Sequence, residues 1–229
     1  MYMSDLLYIA IFIAMLGSMW ASAKVRNTFE KYANVFSSSG LTARQVAHAL
    51  LEQNGITDVA IDLVEGNLTD HYNPKDNTVY LSETVYESSS VSALGVAAHE
   101  IGHVLQHYES YAPLQMRSFF LPAAQLGSQA AIPLFFLGMV MSIDPLITIG
   151  IVIFIFVVLF YLVTLPVEFN ASKRAITALV SGGYITEQEA PMTKKVLSAA
   201  GLTYVMAAIQ AVLQLLRLLV MSSGKRRKR

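Results

Sequence analysis

The segment AAHEIGHVLQH, residues 97–107, holds three histidines at intervals of four and a glutamate beside the first of them. On an α-helix, residues four apart differ by about 40° in direction and about 6 Å in height, so His99 and His103 can present ring nitrogens to one metal ion. Glu100 lies about 100° round the helix from His99, where it can take a proton from a metal-activated water. The pattern predicts a metal site with two histidine ligands and a general base.

The third histidine of the segment continues the same helical face. The Cα of His107 would lie about 12 Å along the helix axis from that of His99, so one ion cannot reach all three rings. No glycine lies between His103 and His107 to break the helix. We therefore expect His107 to support the site or the fold rather than to bind the metal.

Two further histidines lie outside this segment. His48 is interpreted as an ordinary polar position on a helix. His71 stands beside a turn, where solvation is the simplest interpretation. The alternative is that it stabilises an oxyanion formed during hydrolysis, a role for which Tyr204 is the other candidate.

The remaining metal ligand must be a carboxylate, because the chain contains no cysteine. Glu109 follows too closely on the same helix, and Glu187 and Glu189 fall in a turn-like segment. Glu168 begins the segment EFNASKRAITAL, directly after a long apolar stretch and on the predicted cytoplasmic side. The sequence thus predicts Glu168 as third ligand, with water in the fourth position; the alternative is a carboxylate that is solvated or paired with a neighbouring lysine or arginine.

Long apolar blocks dominate the rest of the chain, of which 54% is hydrophobic and 14% is charged. A soluble domain has about 25% charged residues, so this composition indicates an integral membrane protein. The formal net charge is zero, which gives no indication of a nucleic-acid partner.

Three blocks are long enough to span a bilayer, at residues 6–23, 119–141 and 146–167. The first has no basic residue before it, and Lys24 and Arg26 follow, so we interpret it as an uncleaved anchor with its N-terminus outside. The alternative is an unusual signal peptide. The other two are joined by SIDP, without lysine or arginine, which predicts a hairpin that enters from the cytoplasm and returns.

Prolines and a polar stripe complicate the later apolar segments. Kinks or breaks are predicted at Pro122, Pro133 and Pro166. The last segment, 196–220, has one polar face, at Gln210, Gln214 and Arg217, and the basic tail GKRRKR follows it. The segment could lie in the interface, return on itself or pack its polar face against the other helices. Because crossing would put this tail outside, we expect the segment to pack on the catalytic unit, with the tail cytoplasmic and held at anionic lipid.

The polar region between the first two spans must supply the elements that position the metal helix. It predicts a helix capped by Thr42, a strand in VAIDLVEG, a hairpin around NPKDN and then the histidine helix. An exposed edge strand beside such a helix can pair with an extended peptide and lay its backbone across the metal. We expect Thr78–Ser82 to be that edge strand.

The motifs AAHEIGHVLQH and LPVEFNAS, together with NPKDNTVYLSE and the apolar tail, resemble the bacterial YugP-type neutral zinc metallopeptidases over nearly the whole chain. The resemblance implies a membrane-bound zincin of the gluzincin type. Its motif assigns one zinc per chain to His99, His103 and Glu168, and the role of catalytic base to Glu100.

The arrangement is also similar to that of larger membrane zinc proteases of the CAAX prenyl and heat-shock kind. These proteases carry the third ligand in an E-x-x-x-D motif, and Ser172 stands here in place of the aspartate. That aspartate would orient a ligand histidine, so we expect Asn170, Ser172 or another group to replace it.

The predicted fold class is mainly α and integral to the membrane, with a minimal zincin-like α+β catalytic unit of helices and a small hairpin or sheet, and about three or four transmembrane or membrane-associated helices. The predicted segments are a transmembrane anchor (1–23), a cytoplasmic catalytic region (24–117), a transmembrane hairpin (118–167), a helix with the third ligand (168–199) and an apolar helix with a basic tail (200–229).

The predicted function is that of a zinc metalloendopeptidase of the bacterial plasma membrane, acting on membrane proteins or peptides at the cytoplasmic face. Glu100 takes a proton from a zinc-activated water and later delivers it to the leaving amine. The alternative is a zinc-binding scaffold or adaptor, which has no use for Glu100. A small transporter is disfavoured, because the firm spans carry no ionisable residue before Glu168. The sequence does not indicate an oligomeric state.

Overall fold

The computed structural model describes the backbone of residues 2–226 and the side chains of residues 5–224. The helices are α1 (Tyr2–Ala33), α2 (Ala43–Gln53), α3 (Glu83–Tyr86), α4 (Val91–Tyr108), α5 (Ala112–Met141), α6 (Asp144–Ser181) and α7 (Ala190–Arg226). The strands are β1 (Ala60–Val64), β2 (His71–Asn73) and β3 (Thr78–Ser82). The predicted fold class is confirmed. The proposed lipid contact of the GKRRKR tail falls mostly on side chains outside the described residues.

Within residues 5–224, four helices are long and apolar enough to cross a membrane, namely α1 from Asp5, α5, α6 and α7 as far as Gly224. Large apolar side chains on them are exposed, among them Phe12, Phe119 and Val140. Such broad apolar exposure is unusual in a soluble monomer and suits helices surrounded by lipid. The three predicted spans are confirmed in length and composition, and α7, which we expected to pack on the catalytic unit, qualifies as a fourth.

We predicted a kink or a break at each proline, and the prediction of a break was wrong, because the prolines do not interrupt these helices. Pro122 and Pro133 lie inside α5, and Pro166 lies inside α6. Proline removes one helical hydrogen bond, but neighbouring helices and local adjustments compensate for this loss in apolar helices. The expectation that a new helix opens around Glu168 was therefore wrong, because Glu168 lies within the single helix α6.

The chain folds into two compact units. The apolar unit comprises residues 1–21, 112–166 and 203–229. Its buried core includes Phe135 and Leu218. We call the other the HEIGH unit, because it contains the histidine motif; it comprises residues 22–111 and 167–202.

The predicted order of elements in the HEIGH unit is confirmed, with the short helix α3 added between the hairpin and α4. Thr42 caps α2: its hydroxyl accepts from the Gln45 amide, and the Gln45 side chain accepts from the Thr42 amide. This reciprocal arrangement is a capping box. Ser90 caps α4, because its hydroxyl accepts from the Ala93 amide at 3.2 Å.

The small sheet has the strand order β1-β3-β2. The predicted hairpin is confirmed, because β2 and β3 pair antiparallel on either side of the turn. However, β1 pairs with β3 in parallel, so Thr78–Ser82 is the central strand and our prediction of an edge strand there was wrong. Four of its five residues are buried, as expected of a strand covered on both faces. The edges are β1 and β2.

Candidate metal centre

Helices α4 and α6 approach closely beside the histidine motif. A Cβ atom added at Gly102 would lie 2.8 Å from the backbone oxygen of Ala171. That separation is shorter than a normal carbon–oxygen contact, so only glycine permits the approach without displacement. It brings His103, the next residue after Gly102, towards Glu168, which precedes Ala171 by one turn of α6.

The three predicted ligands converge. Oε2 of Glu168 lies 3.3 Å from Nε2 of His99 and 3.5 Å from Nε2 of His103. One donor atom from each residue lies within 4.8 Å of the others. In a tetrahedral zinc site with bonds of about 2.0–2.2 Å, two ligand atoms are about 3.4 Å apart. The donor set and its spacing therefore fit zinc, with one position left for water or substrate.

Glu168 is buried, with 2% of its surface exposed. A buried carboxylate needs cationic or hydrogen-bonding partners. The alternative of a solvated carboxylate is excluded by this burial. Arg174, one of the neighbouring cations considered as a partner, instead pairs with both carboxylate oxygens of Glu109, at 2.7 and 2.6 Å.

The second nitrogen of each ligand ring is also engaged. Nδ1 of His99 lies 3.1 Å from the Ser172 hydroxyl, and Nδ1 of His103 lies 3.0 Å from Oε1 of Gln106. An amide oxygen only accepts hydrogen bonds, so Nδ1 of His103 donates and Nε2 keeps its lone pair for a metal. Ser172 thus occupies the place in the network that the E-x-x-x-D pattern gives to an aspartate.

Gln106, which is fully buried, was not predicted from the sequence. Its Nε2 donates to the Val167 carbonyl at 2.8 Å and to Oδ1 of Asn170 at 3.0 Å, which fixes the orientation of its amide. Oδ1 of Asn170 also accepts from Nε of Arg174 at 2.7 Å. The available signal was a glutamine one turn after His103, on the apolar side of the helix.

A continuous hydrogen-bonded network thus leads from the surface to His103, a candidate metal ligand. It starts at the exposed Glu109, whose pKa is lowered by its hydrogen bonds with Arg174. It continues through Asn170 and Gln106 to His103. This network joins the end of α4 to α6, the two helices that carry the candidate metal ligands.

Glu100 is buried on the other side of the motif, with 8% of its surface exposed. Its Oε2 accepts a hydrogen bond of 3.0 Å from the backbone amide of Tyr72 in β2. The Tyr72 amide points away from β3 and towards Glu100 of α4. The edge of β2 that is not paired with β3 therefore faces α4. The proposed base and an edge strand are therefore adjacent.

Several charged groups share this small region. The pKa of Asp70 is raised overall, mainly by burial and also by the negative charge of Glu100. The amide and hydroxyl of Ser82 donate to the Asp70 carboxylate and offset part of this rise. Burial lowers the pKa of His103, but the neighbouring carboxylates of Glu168 and Glu100 outweigh burial and raise it overall. A cluster of carboxylates that raises the pKa of a histidine is an environment that attracts a cation.

The structure places His107 against the hairpin. Its Nδ1 lies 2.9 Å from the hydroxyl of Tyr72, and the same hydroxyl donates to Asn77. Burial raises the pKa of Tyr72 to about 12, so the hydroxyl keeps its proton at neutral pH. His107 therefore contacts the strand whose backbone holds Glu100.

The other candidates lie elsewhere. The ring of His71 is exposed, bonds to the Thr69 carbonyl at 2.8 Å and stacks on Tyr80. His48 is exposed and lies 3.5 Å from Glu52, as an ordinary surface position would. Tyr204 is half-buried in α7, within the apolar unit. An oxyanion role for His71 or Tyr204 stays a prediction.

Comparison with known proteins agrees with this donor set. Residues 7–223 match the family model described as "Putative neutral zinc metallopeptidase". The chain belongs to this family. It is also 48% identical over 213 residues to the "Putative membrane protease YugP" of Bacillus subtilis (strain 168), a match that covers 93% of this chain and 95% of that protein. No solved structure matches significantly.

Membership of the zinc metallopeptidase family confirms the resemblance inferred from the motifs. It implies zinc as the metal, which the two imidazoles and one carboxylate fit. With four apolar helices and a relative named as a membrane protease, the chain is a membrane member of the family.

Proposed function

We propose that this chain is a membrane-bound zinc endopeptidase that holds one zinc ion through His99, His103 and Glu168. The observation that carries the proposal is the convergence of both Nε2 atoms on the buried Oε2 of Glu168, with Glu100 on the same helix. When bound, zinc supplies Lewis acidity, which activates water and polarises a peptide carbonyl.

Glu100 is the general base of the proposed reaction. Its carboxylate takes the proton released as water adds to the carbonyl carbon, and it then delivers that proton to the amine nitrogen as the carbon–nitrogen bond breaks. The Tyr72 amide holds this carboxylate in place from β2, and burial shields it from bulk water. Ser172 and Gln106 keep the ligand rings oriented from the opposite side.

The substrate strand is proposed to pair with β2, in place of the strand that the sequence suggested. The outer edge of β2 lies beside Glu100, as the Tyr72 hydrogen bond demonstrates. The outward amide of Tyr72 is already bonded to Glu100, so an extended peptide placed along this edge would pair through the Tyr72 carbonyl and run next to the base. Since β2 has only three residues, this pairing is short.

The site is proposed to face the cytoplasm of a bacterial cell. Lys24 and Arg26 follow the first apolar stretch, whereas the loop between α5 and α6 carries no lysine or arginine. This distribution favours a cytoplasmic HEIGH unit by the positive-inside rule. Membrane proteins, their juxtamembrane segments and released peptides are then the accessible substrates.

The test compares purified full-length protein with the Glu100→Gln variant on a library of internally quenched peptides, with zinc content measured in both. An endopeptidase gives cleavage at internal bonds by the wild type, while the variant keeps its zinc and loses activity by roughly a thousandfold or more. A zinc-loaded wild type that cleaves no peptide or membrane-protein substrate better than the variant would instead support the scaffold alternative.

A further inference from the structure

A cavity of about 590 Å³ in the HEIGH unit is lined by lysines from two helices. Lysines at positions 24 and 31 come from α1, and lysines at positions 194 and 195 come from α7. Within the described part of the chain, the lining contains no aspartate or glutamate. We call it the lysine cavity. It belongs to neither the metal ligands nor the proposed base.

The spacing of the lining residues concentrates positive charge on this cavity. Lys24, Thr28 and Lys31 lie at i, i+4 and i+7 and so share one face of α1. On α7, Lys194 and Ser198 are again four residues apart. Four lysines, all of them exposed, line the same cavity, so their positive charges repel one another and favour an anion there. The hydroxyls of Thr28 and Ser198 can donate to the same anion.

A nearby carboxylate is already engaged elsewhere. Glu189 directly precedes α7, but its oxygens accept from the amide and hydroxyl of Ser38 and from the amide of Thr186. These bonds lie at 2.7–3.1 Å and lower the pKa of Glu189 despite some burial. Its carboxylate therefore links the α6–α7 turn to the segment after α1.

The position of the lysines along each helix indicates the source of the anion. Lys24 follows the apolar stretch of α1 directly, and Lys195 lies just before the apolar stretch of α7. Both helices are candidate spans, so in a bilayer the lysines that flank these apolar stretches would lie at the level of the lipid phosphates. A soluble anion would not require this placement.

A second cavity of about 340 Å³ shares Lys194 and Ser198 with the lysine cavity. Its lining includes three large apolar side chains, Phe169, Ile176 and Leu197. A phosphate site with an apolar cavity beside it suits an amphiphile, because the charged head and the start of an acyl chain each find a matching surface.

We propose that the lysine cavity binds the phosphate headgroup of an anionic phospholipid. Free phosphate and pyrophosphate share the charged chemistry of that headgroup but make no use of the apolar cavity. The binding needs no zinc and no turnover, so this proposal and the proposed endopeptidase activity can fail separately.

The chain carries its own reporter for the test. Trp20 is its one tryptophan, lies four residues before Lys24 in α1 and has 56% of its surface exposed. Full-length protein is reconstituted into phosphatidylcholine vesicles, and Trp20 fluorescence is measured as dibrominated phosphatidylglycerol or dibrominated phosphatidylcholine replaces the unlabelled lipid. Bromine quenches indole at contact range, so the relative quenching gives the selectivity beside Lys24.

We expect the wild type to prefer phosphatidylglycerol, and Lys194→Gln combined with Lys195→Gln to lower that preference by at least about fivefold, since one basic residue near lipid contributes about that factor. Lys24→Gln combined with Lys31→Gln tests the other helix. The matched control, Arg44→Gln combined with Lys75→Gln, removes the same charge outside the cavity and should keep the preference. The basic tail is present in every variant, so its contribution cancels.

Three outcomes would overturn the proposal. The first is equal quenching by both lipids in the wild type. The second is equal selectivity in the lysine and control variants while circular dichroism shows all of them folded. The third comes from titration calorimetry of the detergent-solubilised protein. If pyrophosphate binds in a lysine-dependent manner while phosphatidylglycerol shows no selectivity, the ligand is a soluble anion and not a lipid.

Discussion

Replacing Gln106 with leucine isolates the contribution of the hydrogen bonds behind the metal ligands. Gln106 is fully buried, accepts from His103 and donates to the Val167 carbonyl and to Asn170. Leucine has a similar volume but no polar atom, so packing is largely kept while all three hydrogen bonds are lost. The variant therefore separates orientation of the ligand from filling of the core.

The expected magnitude follows from the partners that are left behind. Asn170 keeps its bond to Arg174, and the Val167 carbonyl lies within α6, where helical hydrogen bonding can satisfy it. The Nδ1 hydrogen of His103 loses its acceptor, and an unsatisfied buried donor costs about 1–3 kcal/mol. Loss of a partner behind a zinc ligand typically weakens metal binding by about 10–100-fold. We expect both effects in Gln106→Leu.

The assay is zinc competition against a chromophoric chelator in detergent, combined with thermal unfolding of the metal-free protein. Gln53→Leu is the matched control, because Gln53 donates to the Tyr184 hydroxyl at 2.6 Å in the same unit, away from the metal ligands. It should lose stability but keep zinc affinity within about twofold. If Gln106→Leu also keeps wild-type zinc affinity, the orienting role assigned to Gln106 is refuted.

Three further predictions concern the second ligand ring, the helix contact and the topology. Ser172→Ala should lower zinc affinity about tenfold, and Ser172→Asp should restore it by returning a carboxylate to His99; equal affinities in the two variants would contradict this. Gly102→Ala should cost about 1–3 kcal/mol in thermal unfolding, because its Cβ would lie 2.8 Å from the Ala171 oxygen; an unchanged melting temperature would show that the helices do not approach so closely. The chain has no cysteine, so Lys75→Cys and Ser142→Cys allow single-site labelling, and an impermeant maleimide added to intact cells should modify position 142 but not position 75; the reverse pattern would place the site outside.

The locally encoded features of the fold were predictable from the sequence. The Thr42 cap, the hairpin and the histidine helix each depend on neighbouring residues, and the structure confirms them. The strand order was not predictable in this way, because the parallel pairing of β1 with β3 joins segments that no local signal connects. Thr78–Ser82 therefore reads as an edge strand in sequence and becomes the central one in space.

The candidate site shows the same division. His99, Glu100 and His103 follow from helical spacing, and Glu168 follows from the lack of cysteine and from membrane sidedness. The partners behind them depend on how α4 meets α6, so Gln106 was missed. The continuity of α6 past Pro166 was missed because an apolar environment tolerates a proline that would end an exposed helix.

The zinc content of detergent-purified protein is the sharpest test of the proposed three-ligand site, with wild type, Glu168→Ala and Glu100→Gln compared by elemental analysis. We expect about one zinc per chain in the wild type and in Glu100→Gln, and a loss of zinc in Glu168→Ala, since three protein ligands define the site. Zinc retained in Glu168→Ala with both histidines intact would place the third ligand elsewhere. A wild type that binds no zinc even when zinc is supplied would refute the proposed zinc peptidase function.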